Sequence, residues 1–247
     1  MDLGLSGRTA IVCGSSSGMG LAVAEALASE GANVAMFGRR RELLEREADR
    51  IGALAVRGDL TDPQALQALV DTTAEAYGGV DILVLNGGGP PPGPATGLTA
   101  EDVEQAVELL LLPHVRLVEL CLQHLRASGR GRVVAIESTS VKEPLPNLAL
   151  SNAVRPGVVG WLRTLATELG PDAITVNTIA PGRIDTDRFR SVYPDGLTEA
   201  DRQRIPLRRV GTPNEIAAVA CFLASDAASY VTGATVTVDG GLTRGLF

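Results

Sequence analysis

Seven short runs of apolar and β-branched residues, at 9–13, 33–37, 54–56, 82–85, 132–136, 175–179 and 235–238, alternate with helix-length segments. Those segments lie at about 18–30, 40–51, 62–77, 99–128, 147–169 and 213–224. Strands this uniformly apolar have no face left for water, so both sides must be covered. Runs that alternate with helices therefore predict an α/β fold, a parallel sheet sandwiched between two helical layers. Asp62-Pro63 and Thr212-Pro213 read as helix starts, a capping side chain followed by proline in the first turn. No internal repeat and no linker-like shift in composition divides the 247 residues, which predicts a single domain spanning 1–247. The only low-complexity stretch is 87–94 (GGGPPPGP).

Charge narrows the partners. Asp and Glu outnumber Lys and Arg by 29 to 22, a formal net charge of −7, which argues against nucleic acid or an anionic membrane as the main partner. Cys13, Cys121 and Cys221 are too widely spaced for a disulfide framework or a metal knuckle, so no metal site is expected and a reducing, cytoplasmic setting fits. The first residues carry no basic leader pattern, and no run reaches the ~18 apolar residues of a membrane span. Two counts bear on the chemistry: the basic residues include a single lysine, Lys142, and there are only three tyrosines, Tyr77, Tyr193 and Tyr230.

The first strand runs into Cys13-Gly14-Ser15-Ser16-Ser17-Gly18-Met19-Gly20 and then an Ala-rich helix. Glycines at these points allow a tight turn and a close approach of backbone to a pyrophosphate. The helix start supplies free N–H groups and the positive end of its dipole. After the second strand come Gly38, Arg39, Arg40 and Arg41, where an NAD site would usually offer an acid to the ribose 2′-hydroxyl. Guanidiniums there suit a 2′-phosphate, so NADP(H) is favoured, with NAD(H) possible; the plainer alternative is that some of these arginines solvate the next helix.

With these motifs the chain resembles the short-chain dehydrogenase/reductase family, of the 3-oxoacyl-acyl-carrier-protein reductase-like kind, over nearly its whole length. Gly14-x-x-x-Gly18-x-Gly20, with Ser16, Ser17 and Met19, resembles the family's nucleotide loop. Asp59 and Leu60 resemble the segment that meets adenine, and Asn86-Gly87 a cofactor-side turn. Pro181, Gly182, Ile184 and Thr186 resemble the loop over the nicotinamide carboxamide. The stretches 211–217 and 238–241 resemble C-terminal signatures. The resemblance implies a Rossmann-type, doubly wound, seven-stranded parallel sheet of order 3-2-1-4-5-6-7, an NAD(P)(H) site at the carboxyl ends of its strands, and a homotetramer or homodimer. Segments 99–128 and 147–169 would carry the main subunit contact.

The same resemblance implies an Asn, Ser, Tyr and Lys that bind the substrate oxygen and move its proton. Gly131-Arg132-Val133-Val134-Ala135-Ile136-Glu137-Ser138 matches the strand carrying the Ser, so Ser138 is retained. Thirteen residues on, Ser151 stands at the Tyr position, Arg155 at the Lys position, and Leu110 at the Asn position. A serine hydroxyl is shorter and far less acidic than a phenol. Arg155 keeps a charge that can bind ribose hydroxyls, but it cannot shuttle a proton. Candidates for a replacement donor are Tyr193 in the segment 187–205, a flap over the substrate in the family, Lys142 in the loop after Ser138, and His114 one turn after Leu110. Each also has an ordinary reading, as a flap aromatic, a solvated loop charge and a core histidine. Pro113 and Pro156 are expected to disturb their helices, and the Pro-rich 90–94 to stand at the cleft mouth as substrate wall or rigid connector. Two functions follow: an NADP(H)-dependent oxidoreductase with an altered site, or a catalytically silent dinucleotide-binding homologue acting as partner subunit or sensor. A non-redox enzyme using Ser138, Ser151 and Arg155 has no supporting motif.

Overall fold

In the computed structural model, which describes residues 2–245, the seven runs form one parallel sheet of order β3-β2-β1-β4-β5-β6-β7. The strands are β1 Thr9–Cys13, β2 Asn33–Gly38, β3 Leu54–Arg57, β4 Ile82–Leu85, β5 Arg132–Ile136, β6 Thr175–Pro181 and β7 Thr235–Val238. Period-two alternation divides their side chains between two cores. Ile11, Cys13, Phe37, Leu83, Leu85, Val133 and Ala135 face one helical layer, while Ala10, Val12, Val34, Met36, Val84 and Val134 face the other. On the first side pack α3 Pro63–Tyr77, α4 Ala100–Leu110, α5 Leu112–Ala127 and α6 Ala149–Leu169. On the second pack α1 Gly18–Ser29, α2 Arg41–Ile51 and α9 Pro213–Ala224. The short helices α7 Asp187–Val192 and α8 Glu199–Gln203 lie between β6 and α9, a stretch with no helical periodicity in its apolar residues.

Strand order reverses at β1: the chain steps outward through β2 and β3, then returns to β4 on the other side. The loops after β1 and β4 therefore leave in opposite directions and open a crevice at the carboxyl edge of the sheet, where open α/β sheets bind ligands.

Two helices differ from expectation. The segment 99–128 is two helices, not one, separated at Leu111 (φ −102°, ψ −54°), with Pro113 in the first turn of α5. Proline has no N–H to return to the carbonyl of Leu109, so the ladder stops, and the ring is tolerated because it opens a new helix. Pro156 does the reverse of what was expected: α6 runs unbroken through it for 21 residues. Pro156 is exposed, so the Asn152 carbonyl it leaves without a helical donor lies on the solvent side, and Val154, Val158 and Leu162 on the inner face hold the helix to the sheet.

Candidate nucleotide and catalytic site

The nucleotide half is built on the β1–α1 turn. Gly14 takes φ +59°, and a Cβ on Gly20 would sit 2.3 Å from the Gly14 carbonyl oxygen, so no larger residue fits there. The Asn86 side chain, at the end of β4, donates to the carbonyls of Cys13 at 3.0 Å and Gly14 at 3.4 Å, fixing the turn from across the crevice. Ser15 accepts from the Phe37 N–H at 3.0 Å and ties the same turn to β2. Helix α1 starts after Ser17 with no side-chain cap and no acid in its first turn. Its first N–H groups are thus left for an external anion, which the helix dipole favours.

Arg40 reaches over this turn: Nε and Nη2 donate to Ser16 Oγ at 3.3 and 3.2 Å, and Nη2 also bonds Ser17 Oγ. Arg39 lies beside Asp59, with Nη1 3.5 Å from Oδ2, while Asp59 accepts from the Thr61 N–H and hydroxyl. Those hydrogen bonds, chiefly the one from the Thr61 backbone, hold the Asp59 carboxyl below its usual range. Arg41 turns away and pairs with Glu45 one helical turn on, so it serves α2. A guanidinium from the end of β2 on the hydroxyls of the β1–α1 turn, with no carboxylate among the described residues nearer to Arg40 than Asp187 at 4.0 Å, fits a phosphate monoester. Leu60 lies 3.2 Å from where a Cβ on Gly87 would stand, which brings the loops after β3 and β4 together beside it. Met19 packs against the α1 core side. At the far wall, Gly182 N–H bonds Val238 O at 3.0 Å, the buried Ile184 pairs with Gly211, and Thr186 caps α7 by accepting from the Phe189 N–H. The Thr186 methyl lies 3.3 Å from where a Cβ on Gly18 would stand, so α7 begins directly over the nucleotide turn.

The catalytic half is built at the ends of β5 and β4 and the start of α6. Ser138 caps the short 3-10 turn Thr139–Val141, its Oγ accepting from the Ser140 N–H at 3.1 Å. Because the oxygen is engaged as an acceptor, its proton points elsewhere. The buried Ser151 hydroxyl lies 3.0 Å from that of Ser140, and the two form a closed pair inside the site. Arg155, one turn along α6, is also buried: Nη1 donates to Glu137 Oε2 at 2.7 Å and Nη2 to the Gly88 carbonyl at 3.2 Å. The three predicted residues thus meet through intermediaries rather than directly. Ser140 joins Ser151 to Ser138, and Glu137 ties Arg155 to the same strand end.

Glu137 and Ser140 are functional candidates that the sequence reading passed over. The only signal was a carboxylate directly after the Val-rich strand end, immediately before Ser138. Glu137 is fully enclosed, and burial raises its carboxyl pKa against the opposing pull of Arg155. His114 completes the cluster, its Nδ1 3.6 Å from Glu137 Oε1, with both atoms buried and otherwise unpartnered. Burial, aided by the Arg155 charge, pushes His114 down to about 3, so it is neutral at physiological pH. Leu110 is buried in the core on the same side.

The other candidate donors are placed differently. Tyr193 accepts a hydrogen bond from Arg183 through its hydroxyl, lies under that guanidinium at 4.9 Å and stacks on Phe189 at 5.0 Å, which fixes its ring between the flap and the loop after β6. Lys142 follows the 3-10 turn, half-buried. The Pro-rich loop is held at the mouth, with Gly93 bridging backbone to backbone with the approach to α6, donating to Asn147 O at 2.8 Å and accepting from Ala149 N–H at 3.2 Å. Among the described residues no helix is long and apolar enough to cross a membrane, and all three cysteines are free and buried.

A family model described as enoyl-(acyl carrier protein) reductase matches residues 14–243. The 3-oxoacyl-[acyl-carrier-protein] reductase MabA of Mycobacterium tuberculosis is 34% identical over 238 residues, covering 96% of this chain and 94% of that protein. The crystal structure of L-sorbose reductase from Gluconobacter frateurii, complexed with NADPH and L-sorbose, superposes with a TM-score of 0.92 at 32% identity over the full length of both chains. An NADPH-bound short-chain oxidoreductase from Pseudomonas aeruginosa PAO1, described as containing an atypical catalytic center, superposes with a TM-score of 0.92 at 30% identity, covering 98% of each chain.

Proposed function

This chain belongs to the short-chain dehydrogenase/reductase family, and on that footing we propose that it is an NADP(H)-dependent oxidoreductase acting on a carbonyl or hydroxyl substrate, 3-oxoacyl-reductase-like, through an atypical site. The observation that carries the cofactor is Arg40, held by Ser16 and Ser17 over an uncapped helix start. NADPH-bound relatives support the same choice. Gly14, Gly18, Gly20 and the α1 N–H groups would hold the pyrophosphate, Arg39 and Arg40 the 2′-phosphate, Asp59 and Leu60 the adenine, and Asn86, Gly87, Pro181, Gly182, Ile184 and Thr186 the nicotinamide side. When bound, the cofactor supplies or accepts the hydride.

The chain's own residues do the rest. Ser138, with its oxygen already accepting from the Ser140 N–H, donates a hydrogen bond to the substrate oxygen and stabilises charge that develops there. Ser151 extends this cradle through Ser140 as a hydrogen-bonding group, since a serine hydroxyl lacks the acidity of the family's phenol. Arg155 supplies positive charge at the cofactor's ribose side of the site, and Glu137 holds it in place. Assembly into a homotetramer or homodimer belongs to the same reading, and light scattering tests it.

A second reading, a silent dinucleotide-binding homologue acting as partner subunit or sensor, is favoured by one observation: the Ser151 hydroxyl is closed on Ser140 and the Arg155 fork on Glu137. Titration of NADPH and NADH by fluorescence, followed by NADPH consumption with a panel of 3-oxoacyl thioesters, free oxo acids, ketones and quinones, separates the two. Tight NADPH binding with turnover is the expected result. Binding without turnover on the whole panel favours the second reading, and no binding of either dinucleotide overturns both.

A further inference from the structure

Arg188, on the flap helix α7, has no part in that account. Its guanidinium crosses the cleft to the opposite wall, where Nη1 donates to the Gly89 carbonyl at 3.1 Å and Nη2 to the Pro90 carbonyl at 2.9 Å. A Cβ on Gly89 would lie 3.0 Å from Arg188 Nη2 and 3.6 Å from Arg155 Nη2, so two guanidiniums converge on one glycine. Carboxylates nearby do not balance them. Glu137 is engaged by Arg155, and Asp187, beside Arg188, faces Arg190 at 3.1 Å and Arg40 at 4.0 Å. His114 is neutral. Two cations against one carboxylate leave one positive charge over, at a point one α6 turn from the Ser151–Ser140–Ser138 hydroxyls. Each guanidinium has five N–H groups and spends two here, and Arg155 Nε is buried without a partner.

We propose that Arg188 and Arg155 together bind a carboxylate on the substrate, so that the preferred substrate is a small oxo acid or hydroxy acid rather than a neutral ketone. This rests on the oxidoreductase reading and adds the substrate class to it. A monoanion matches the single uncompensated charge, and the planar fork of arginine matches a carboxylate in two parallel hydrogen bonds. Loop carbonyls hold Arg188 in place, and a carboxylate replaces those neutral acceptors with a charged one. Gly89 is required because any side chain there would occupy the space between the two forks.

The test uses the intact protein in two stages. NADPH is first titrated into wild type, Arg188→Leu and Arg188→Lys; equal affinity in all three is expected, and a tenfold loss in Arg188→Leu would assign Arg188 to a cofactor phosphate and overturn the proposal. Failure of the wild type to bind NADPH would instead sink the oxidoreductase reading. The NADPH complex is then titrated calorimetrically with 2-oxo and 3-oxo acids (pyruvate, 2-oxobutyrate, acetoacetate) and with their methyl esters. The acids are expected to bind about 10- to 100-fold more tightly than the esters, with the preference lost in Arg188→Leu and partly kept in Arg188→Lys. Equal binding of acid and ester, binding of neither, or a preference that survives Arg188→Leu overturns it.

Discussion

The two halves of the cleft use arginine in opposite ways. Around the nucleotide turn, Arg40 is exposed and held by neutral hydroxyls, leaving its charge for something that arrives from outside. At the end of β5, Arg155 is buried and its charge is met at once by Glu137 inside the protein. The first arrangement costs little stability and gives binding; the second commits charge to the interior, where losing one partner leaves the other stranded in a low dielectric. The contrast separates what each half is expected to lose on substitution.

The largest effect is expected at the buried pair. Glu137→Leu should destabilise the protein by about 3–5 kcal/mol in chemical denaturation, because Arg155 is left charged and unpaired, whereas Glu137→Leu with Arg155→Met should recover most of the loss. Equal damage from the single and double variants would show that packing, not charge, dominates there. Next is Gly20→Ala, where the new Cβ meets the Gly14 carbonyl. About 1–3 kcal/mol of stability should go, together with NADPH binding, since the turn must move to relieve the contact.

His114 brings a pH dependence of comparable size with a defined sign. Its folded pKa of about 3 lies below the ordinary 6.5, so the unfolded chain binds more protons between these values and stability falls as pH drops through that window. Denaturation midpoints should decline from pH 6.5 to 5, and His114→Gln should flatten that slope. Glu137 has the opposite sign, since burial raises its carboxyl and it protonates more readily in the folded state. The smallest effect on the fold is expected at Arg40. Arg40→Ala should leave the melting temperature almost unchanged while weakening NADPH about 10- to 100-fold and NADH hardly at all. An equal loss for both dinucleotides would remove the 2′-phosphate from the argument.

The same contrast explains what could be read from the sequence. The nucleotide half is local: Gly14, Gly18 and Gly20 fall within one turn, and the Arg40 clamp joins the ends of two successive strands, so spacing reveals it. Parallel strands covered on both faces were likewise legible in uninterrupted apolar runs, and the strand order came with the family resemblance. The catalytic half is assembled from β4, β5, α5 and α6, and its pairings are non-local. Nothing in the string around Glu137 says that the carboxylate turns inward to meet Arg155, 18 residues on, and His114. Ser140 was equally hidden, because its partner Ser151 becomes a neighbour only when the 3-10 turn folds against α6. The two prolines differ for a physical reason that sequence does not carry. Pro113 stands where one helix can end and another begin, and Pro156 stands on a helix face already turned to solvent.

The bridge between Gly93 and the approach to α6 has a kinetic consequence. Two backbone hydrogen bonds pin the middle of the Pro-rich connection, so the long excursion from β4 to α4 becomes two short closed loops, each with far fewer conformations than the whole. Prolines on either side of the pin stiffen both. A protease that needs an extended stretch of chain must first break that bridge, and cleavage at 90–94 should therefore wait on a local opening that carries the start of α6 with it.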